Sequence, residues 1–216
     1  MSFKDAKSAI FFRVGSIGYI VGFFAWFTWF FLVIWNLIFY WLGYGYSNIM
    51  SGIYYQSGPY SLVVYGLFSV SFLLGSFGCF GFKRKFNSNL ALICGVFYIA
   101  VFAVLCYTIV SAKFQIYSPL LRDVPMFLNL GLLFWGATLL ALSKSLPHPR
   151  LSSWIGGVFV LIPALTLTLF WQVIMYWGVE FWFLLFGWLY AICAAATAII
   201  LWRLSKTCCV QVTSPA

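Results

Sequence analysis

The chain has 216 residues, 64% hydrophobic and 7% charged, with 12 Lys and Arg against 3 Asp and Glu for a net charge of +9. Soluble domains are about half apolar and about a quarter charged, so a soluble enzyme, a secreted disulfide miniprotein and a disordered tail are all excluded. Nothing charged lies between Arg13 and Lys83. The basic residues sit in short stretches between apolar runs and not on one polar face, which argues against nucleic acid as a partner.

A spanning helix needs about 20 largely apolar residues, and six such runs follow one another. The first covers 12–42 and at 1.5 Å per residue would rise about 46 Å, enough to tilt or to project from the bilayer. It far exceeds the roughly 7–15 apolar residues of a signal peptide, so it is expected to remain in the mature chain. Within it, Gly18 and Gly22 form a GxxxG pair that favours close helix approach. The stretch Phe23 to Phe31 is aromatic on all faces and is expected to meet lipid or a hydrophobic partner over most of its circumference. Gly43 to Asn48 ends this run, and Ser57, Gly58 and Pro59 precede the second, at 60–82. Ser71 and Gly75 repeat the small-residue spacing, and Gly78 and Gly81 continue at three-residue steps. Lys83, Arg84 and Lys85 close the second run.

The third run covers 89–112, and Pro119 and Pro125 bracket the loop behind it. The fourth, 125–143, carries Asn129, and Pro147-His148-Pro149 separates it from the fifth, 152–178. Pro163 should kink the fifth helix. Gly178 and Glu180 divide it from the sixth, 180–202, because 151–202 is too long for one span. Ala191, Ala194, Ala195 and Ala198 offer a small-residue face on the sixth. The fold expected is all-α: one polytopic six-transmembrane-helix bundle over 1–207, followed by a short tail, 208–216.

Lys and Arg placement sets orientation. With the N-terminus on the cytoplasmic or matrix side, ten basic residues lie inside: Lys4, Lys7, Arg13, Lys83, Arg84, Lys85, Lys144, Arg150, Arg203 and Lys206. Two, Lys113 and Arg122, lie outside. Both termini are therefore expected on the inner side. Trp and Tyr near the span ends, such as Trp35, Tyr40, Trp41, Trp171, Tyr176, Trp177 and Trp182, suit an interfacial girdle.

Chemistry is scarce. The acids are Asp5, Asp123 and Glu180, and the single histidine, His148, lies in a loop. A multi-histidine metal centre, haem ligation from two sides and paired-carboxylate metal chemistry all need more ligands than these. Of the six cysteines, Cys79, Cys94, Cys106 and Cys193 lie in apolar runs as small core residues. No CxxC or CxxH pair marks a zinc site. Cys208 and Cys209, beside Arg203 and Lys206, are candidates for S-palmitoylation. Glu180, in the expected outer turn, suits the N-terminus of the sixth helix. Asn36, Asn129 and Gln172 are costly to bury and are expected to face protein, where with Glu180 they are candidates for a polar path or a partner contact.

The stretch Gly75 to Lys83 resembles the end of the second tetraspanin helix. Six spans are too many for that family and its cysteine-rich outer loop is missing, so no family is assigned. The function expected from the residues is a non-catalytic, cofactor-free membrane protein that packs as an accessory subunit against lipids and partner subunits. A passive channel or carrier for a neutral or lipid-like solute is the alternative.

Overall fold

The structure, a computed structural model, describes residues 3–42, 59–114, 120–169 and 175–210. Among them all regular structure is helical: α1 (Phe3–Trp41), α2 (Pro59–Phe86), α3 (Asn89–Lys113), α4 (Leu120–Leu142), a 3₁₀ turn (Ser143–Ser145), α5 (Pro149–Leu169) and α6 (Met175–Val210). Six segments of these helices are long and apolar enough to cross a membrane: Lys7–Trp35, Leu62–Phe86, Asn89–Ser111, Met126–Ser145, Pro149–Thr168 and Phe186–Cys208. This is the pattern of a multi-pass membrane protein. In hydrocarbon a backbone must satisfy its own hydrogen bonds, and helices do so within each segment.

The helix ends differ from the edges of the apolar runs. α1 starts at Phe3, because charged residues such as Lys4 and Lys7 end hydrophobicity without ending helicity. Lys83, Arg84 and Lys85 occupy the last turn of α2 and do not follow it; cations there are favoured by the helix dipole. α4 begins at Leu120, which places Pro125 inside the helix near its start. The expected break at Gly178 and Glu180 is a correction: α6 runs unbroken from Met175 through both residues. A lone glycine costs a helix about 1 kcal/mol against alanine, too little to end so apolar a segment. The join between α5 and α6 lies instead between Leu169 and Met175. α6 also continues past 202 to Val210, so Cys208 belongs to the helix.

Two tight reversals set neighbours. Between α2 and α3 the chain turns at Asn87, whose positive φ of 52° is one that Asn tolerates better than most residues. Ser88 then caps α3, its Oγ accepting from the Ala91 N–H at 3.3 Å. Between α4 and α5, Pro149 opens the helix where its missing N–H costs nothing, and the His148 carbonyl accepts from the Ser152 N–H at 2.9 Å.

α1 packs between α2 and α6, α2 continues to α3, and α3, α4 and α5 follow in order. The core is aromatic. Trp26 of α1 lies 4.8 Å from Phe68 and 4.7 Å from Tyr190, centroid to centroid. The Phe23 to Phe31 stretch is thus not turned outward all round. Ala25 and Trp26 are buried, Phe24, Phe27 and Phe31 are exposed, and the rest are half-buried.

Candidate functional site

Two features stand out: seams where backbones touch, and a polar cluster sealed inside the bundle. In the first seam, α1 and α2 meet through small residues. A Cβ added at Gly18 would lie 2.5 Å from the Gly75 nitrogen, and one at Gly15 would lie 2.6 Å from the Gly78 Cα. One at Gly22 would meet the Ser71 Oγ at 2.6 Å. Gly18, Gly22, Ser71, Gly75 and Gly78 therefore lie together, with Gly15 as a further member. A second seam joins α4 to α5, where a Cβ at Gly136 would lie 2.8 Å from the Gly156 carbonyl oxygen. On α6, Ala191, Ala194 and Ala198 are buried while Ala195 is half-buried. The Ser16 Oγ donates to the Ala198 carbonyl at 2.9 Å and ties α1 to α6.

The polar cluster lies where α1, α2, α3 and α4 converge. The hydroxyls of Tyr19 and Tyr98 share a hydrogen bond of 3.0 Å. Cys79 donates to Cys94 with 3.5 Å between sulfurs, and both side chains are fully buried. Trp135 stacks on Tyr19 at 5.1 Å, and its indole nitrogen has no hydrogen-bond partner among the described residues. Nearby, Tyr190 donates to the Asn129 Oδ1 at 3.1 Å, linking α6 to α4.

A cavity of about 20 Å³ is lined by Tyr19, Ser71, Phe72, Tyr98, Leu132 and neighbours. That volume admits about one water molecule. Most remaining polar groups are satisfied one turn back on their own helix: Thr108 by Val104, Thr138 by Phe134, and Thr166 by Ile162, at 2.8–2.9 Å. Among the described residues no three or more His, Cys, Asp or Glu converge as a metal site would need.

The other expected residues are placed as follows. Gln172 lies outside the described residues. The backbones of Asn36, Glu180 and Cys209 are helical, and their side chains lie outside the described ones. Cys208 is buried, with its sulfur accepting from the Lys85 Nζ at 3.2 Å. An acyl group could reach it only after that contact opened.

The residues not singled out from sequence are Tyr19, Tyr98, Tyr190 and Trp135. A signal did exist: each lies well inside its span, too deep for the headgroup level that the girdle explanation requires.

No family model, curated protein or solved structure matches this chain.

Proposed function

We propose that this chain is a non-catalytic membrane subunit whose fixed helix bundle presents an apolar outer surface to lipids and partner subunits. The observation that carries this reading is the sorting of α1. Its small residues Ala9, Gly15, Ser16, Gly18, Gly22 and Ala25 are buried. Ile10, Ile17, Ile20, Phe24, Phe27, Phe31 and Ile38 are 44–60% exposed. In membranes helices approach through small residues and turn large apolar ones to the hydrocarbon. The aromatic core and the water-sized cavity support a supporting role over a solute path, since Asn129 is engaged by Tyr190. The excess of basic residues on alternate connections supports placing both termini on the cytoplasmic or matrix side.

Purification in mild detergent tests the reading: stoichiometric protein partners or tightly held lipid are expected. A stable, partner-free and lipid-free monomer would overturn it. Solute flux in reconstituted vesicles would favour the channel or carrier reading instead. Thiol labelling of cysteines placed at 2 and 214, from either side of sealed vesicles, tests the topology.

A further inference from the structure

One end of the bundle gathers the start of α1, the turn from α2 to α3, the loop from α4 to α5, and the end of α6. The Phe12–Phe82 ring contact at 5.3 Å, the Lys85–Cys208 contact and the Arg203–His148 contact hold these parts together. Three lysines here meet neutral partners. Lys83 donates to the side-chain oxygens of Asn87 and Asn89 at 3.0 and 2.7 Å, and Lys85 donates to a thiol. Lys206 lies over the Trp202 ring. The sequence puts one acid at this end, Asp5, between Lys4 and Lys7.

The most unusual of these contacts is a guanidinium on an imidazole. Arg203 Nη1 meets His148 Nε2 on the exposed surface. Arginine has no acceptor, so His148 must accept through an unprotonated Nε2. An anion placed between the two side chains would instead accept from the guanidinium and from the imidazole N–H, with the ring in its other tautomer. Beside them Pro147, His148, Pro149, Arg150 and Leu151 line an open cavity of about 450 Å³, which adds a second guanidinium.

From that cavity an apolar stripe descends α5. Leu151, Trp154, Leu161 and Leu165 are exposed, and with Val158 they follow three- and four-residue steps along one helix face. From Leu151 to Leu165 the helix rises about 21 Å, deeper than half of a hydrocarbon core of about 30 Å. Charge at the top and an apolar face of acyl-chain length below describe a phospholipid. A free anion would have no use for the stripe.

We propose that the α4–α5 loop and the end of α6 form a seat for one anionic phospholipid, with Arg203, His148 and Arg150 holding its phosphate and the Leu151–Leu165 face of α5 carrying an acyl chain. The seat does not depend on the subunit reading; it serves a lone chain equally well.

The test uses the full chain in nanodiscs of phosphatidylcholine, with or without one-fifth phosphatidylglycerol. Native mass spectrometry counts retained lipid, and labelled histidine reports on His148, which is the single histidine of the chain. Phosphatidylglycerol is expected to be retained at one per chain and to move the His148 imidazole resonances. Arg203→Gln and Arg150→Gln should each weaken retention about tenfold, the loss of one charge-assisted hydrogen bond. Lys113→Gln, at the opposite end of α3, should leave retention unchanged. Leu161→Ser should weaken retention of the lipid while leaving binding of inorganic phosphate untouched.

Equal losses in the Arg203 and Lys113 variants would overturn the seat in favour of diffuse charge. Full competition by inorganic phosphate would overturn it in favour of a free anion. Unmoved histidine resonances would overturn it outright. Should Arg203→Gln fail to fold, Arg150→Gln and Leu161→Ser, both on exposed α5 surface, decide the outcome.

Discussion

Two helix seams in this molecule bring backbones into contact, and they are built differently. Between α1 and α2 the contact is a ladder: Gly15 against Gly78, Gly18 against Gly75, and Gly22 against Ser71. Between α4 and α5 it is a single rung, Gly136 against Gly156, beside Phe159 and Leu140. A ladder fixes both the distance between helices and their register. A single rung fixes the distance at one point and leaves register to the side chains around it. The two seams should therefore respond differently to an added methyl group.

The largest effect is expected from Gly18→Val. Its Cβ would meet the Gly75 nitrogen at 2.5 Å and the Leu74 carbonyl carbon at 2.8 Å. Both are backbone atoms that cannot rotate away, so the helices must part along the whole ladder. Overpacking of this kind costs about 1–3 kcal/mol, and the branched side chain should place it at the upper end. Thermal unfolding in mild detergent measures the loss. An unchanged midpoint would show that α1 and α2 do not touch as described.

The second seam offers a sharper contrast in adjacent residues. A Cβ at Gly156 would lie 2.9 Å from the Gly136 oxygen and from the Leu140 Cγ, whereas one at Gly157 would meet nothing within 4 Å. Gly156→Ala should cost about 1–2 kcal/mol. Gly157→Ala should be neutral or stabilise by up to about 1 kcal/mol, through helix propensity. The same unfolding assay reads both. Equal responses would mean that this seam is lipid-facing and not a contact.

The ladder was legible in the sequence because it is written locally. Gly18 and Gly22 on one helix, and Ser71 and Gly75 on the next, each carry the four-residue spacing that lines a helix face. The single rung was less legible, since Gly136 and Gly156 are 20 positions apart and, although Ser152 and Gly156 carry the four-residue spacing, Gly136 has no such small partner on α4. The six apolar segments were equally plain, as hydropathy alone sets them. Helix ends were not, because Lys83 to Lys85 and Gly178 change hydropathy or flexibility without breaking the hydrogen-bond ladder. The polar cluster was hidden for another reason. Tyr19, Cys79, Cys94, Tyr98 and Trp135 come from four helices, and only packing brings them together.

That cluster permits a finer test of how register is held within the ladder, since Tyr19 lies between the Gly18 and Gly22 rungs. Tyr98→Phe removes one hydroxyl and leaves that of Tyr19 buried without its partner at 3.0 Å. A loss of about 1 kcal/mol is expected. In the Tyr19→Phe, Tyr98→Phe double variant the second substitution should cost less than the first, because no orphan is left behind. Additive losses in a double-mutant cycle would show that the two hydroxyls do not interact.

The smallest effect on stability, and the most local, is expected at Cys79 and Cys94. Their sulfurs are 3.5 Å apart, and a disulfide bond is about 2.05 Å long, so a modest approach of α2 and α3 would close it. Copper phenanthroline, which takes the two electrons, should join Cys79 to Cys94 in the detergent-solubilised chain, detected as a loss of two hydrogen atoms in the linked peptide. Cys106, half-buried further along α3, should stay reduced. A cross-link stabilises mainly by restricting the unfolded chain, by about 3 kcal/mol where a loop of about 15 residues would otherwise be free coil, so the midpoint should move little provided the α2–α3 hairpin survives when the bundle melts. Here the two helices are already joined by a two-residue turn at Asn87 and Ser88. A large rise in stability would mean that α2 and α3 separate before the bundle melts. The turn would then be the weak point and the glycine ladder between α1 and α2 the last contact to break.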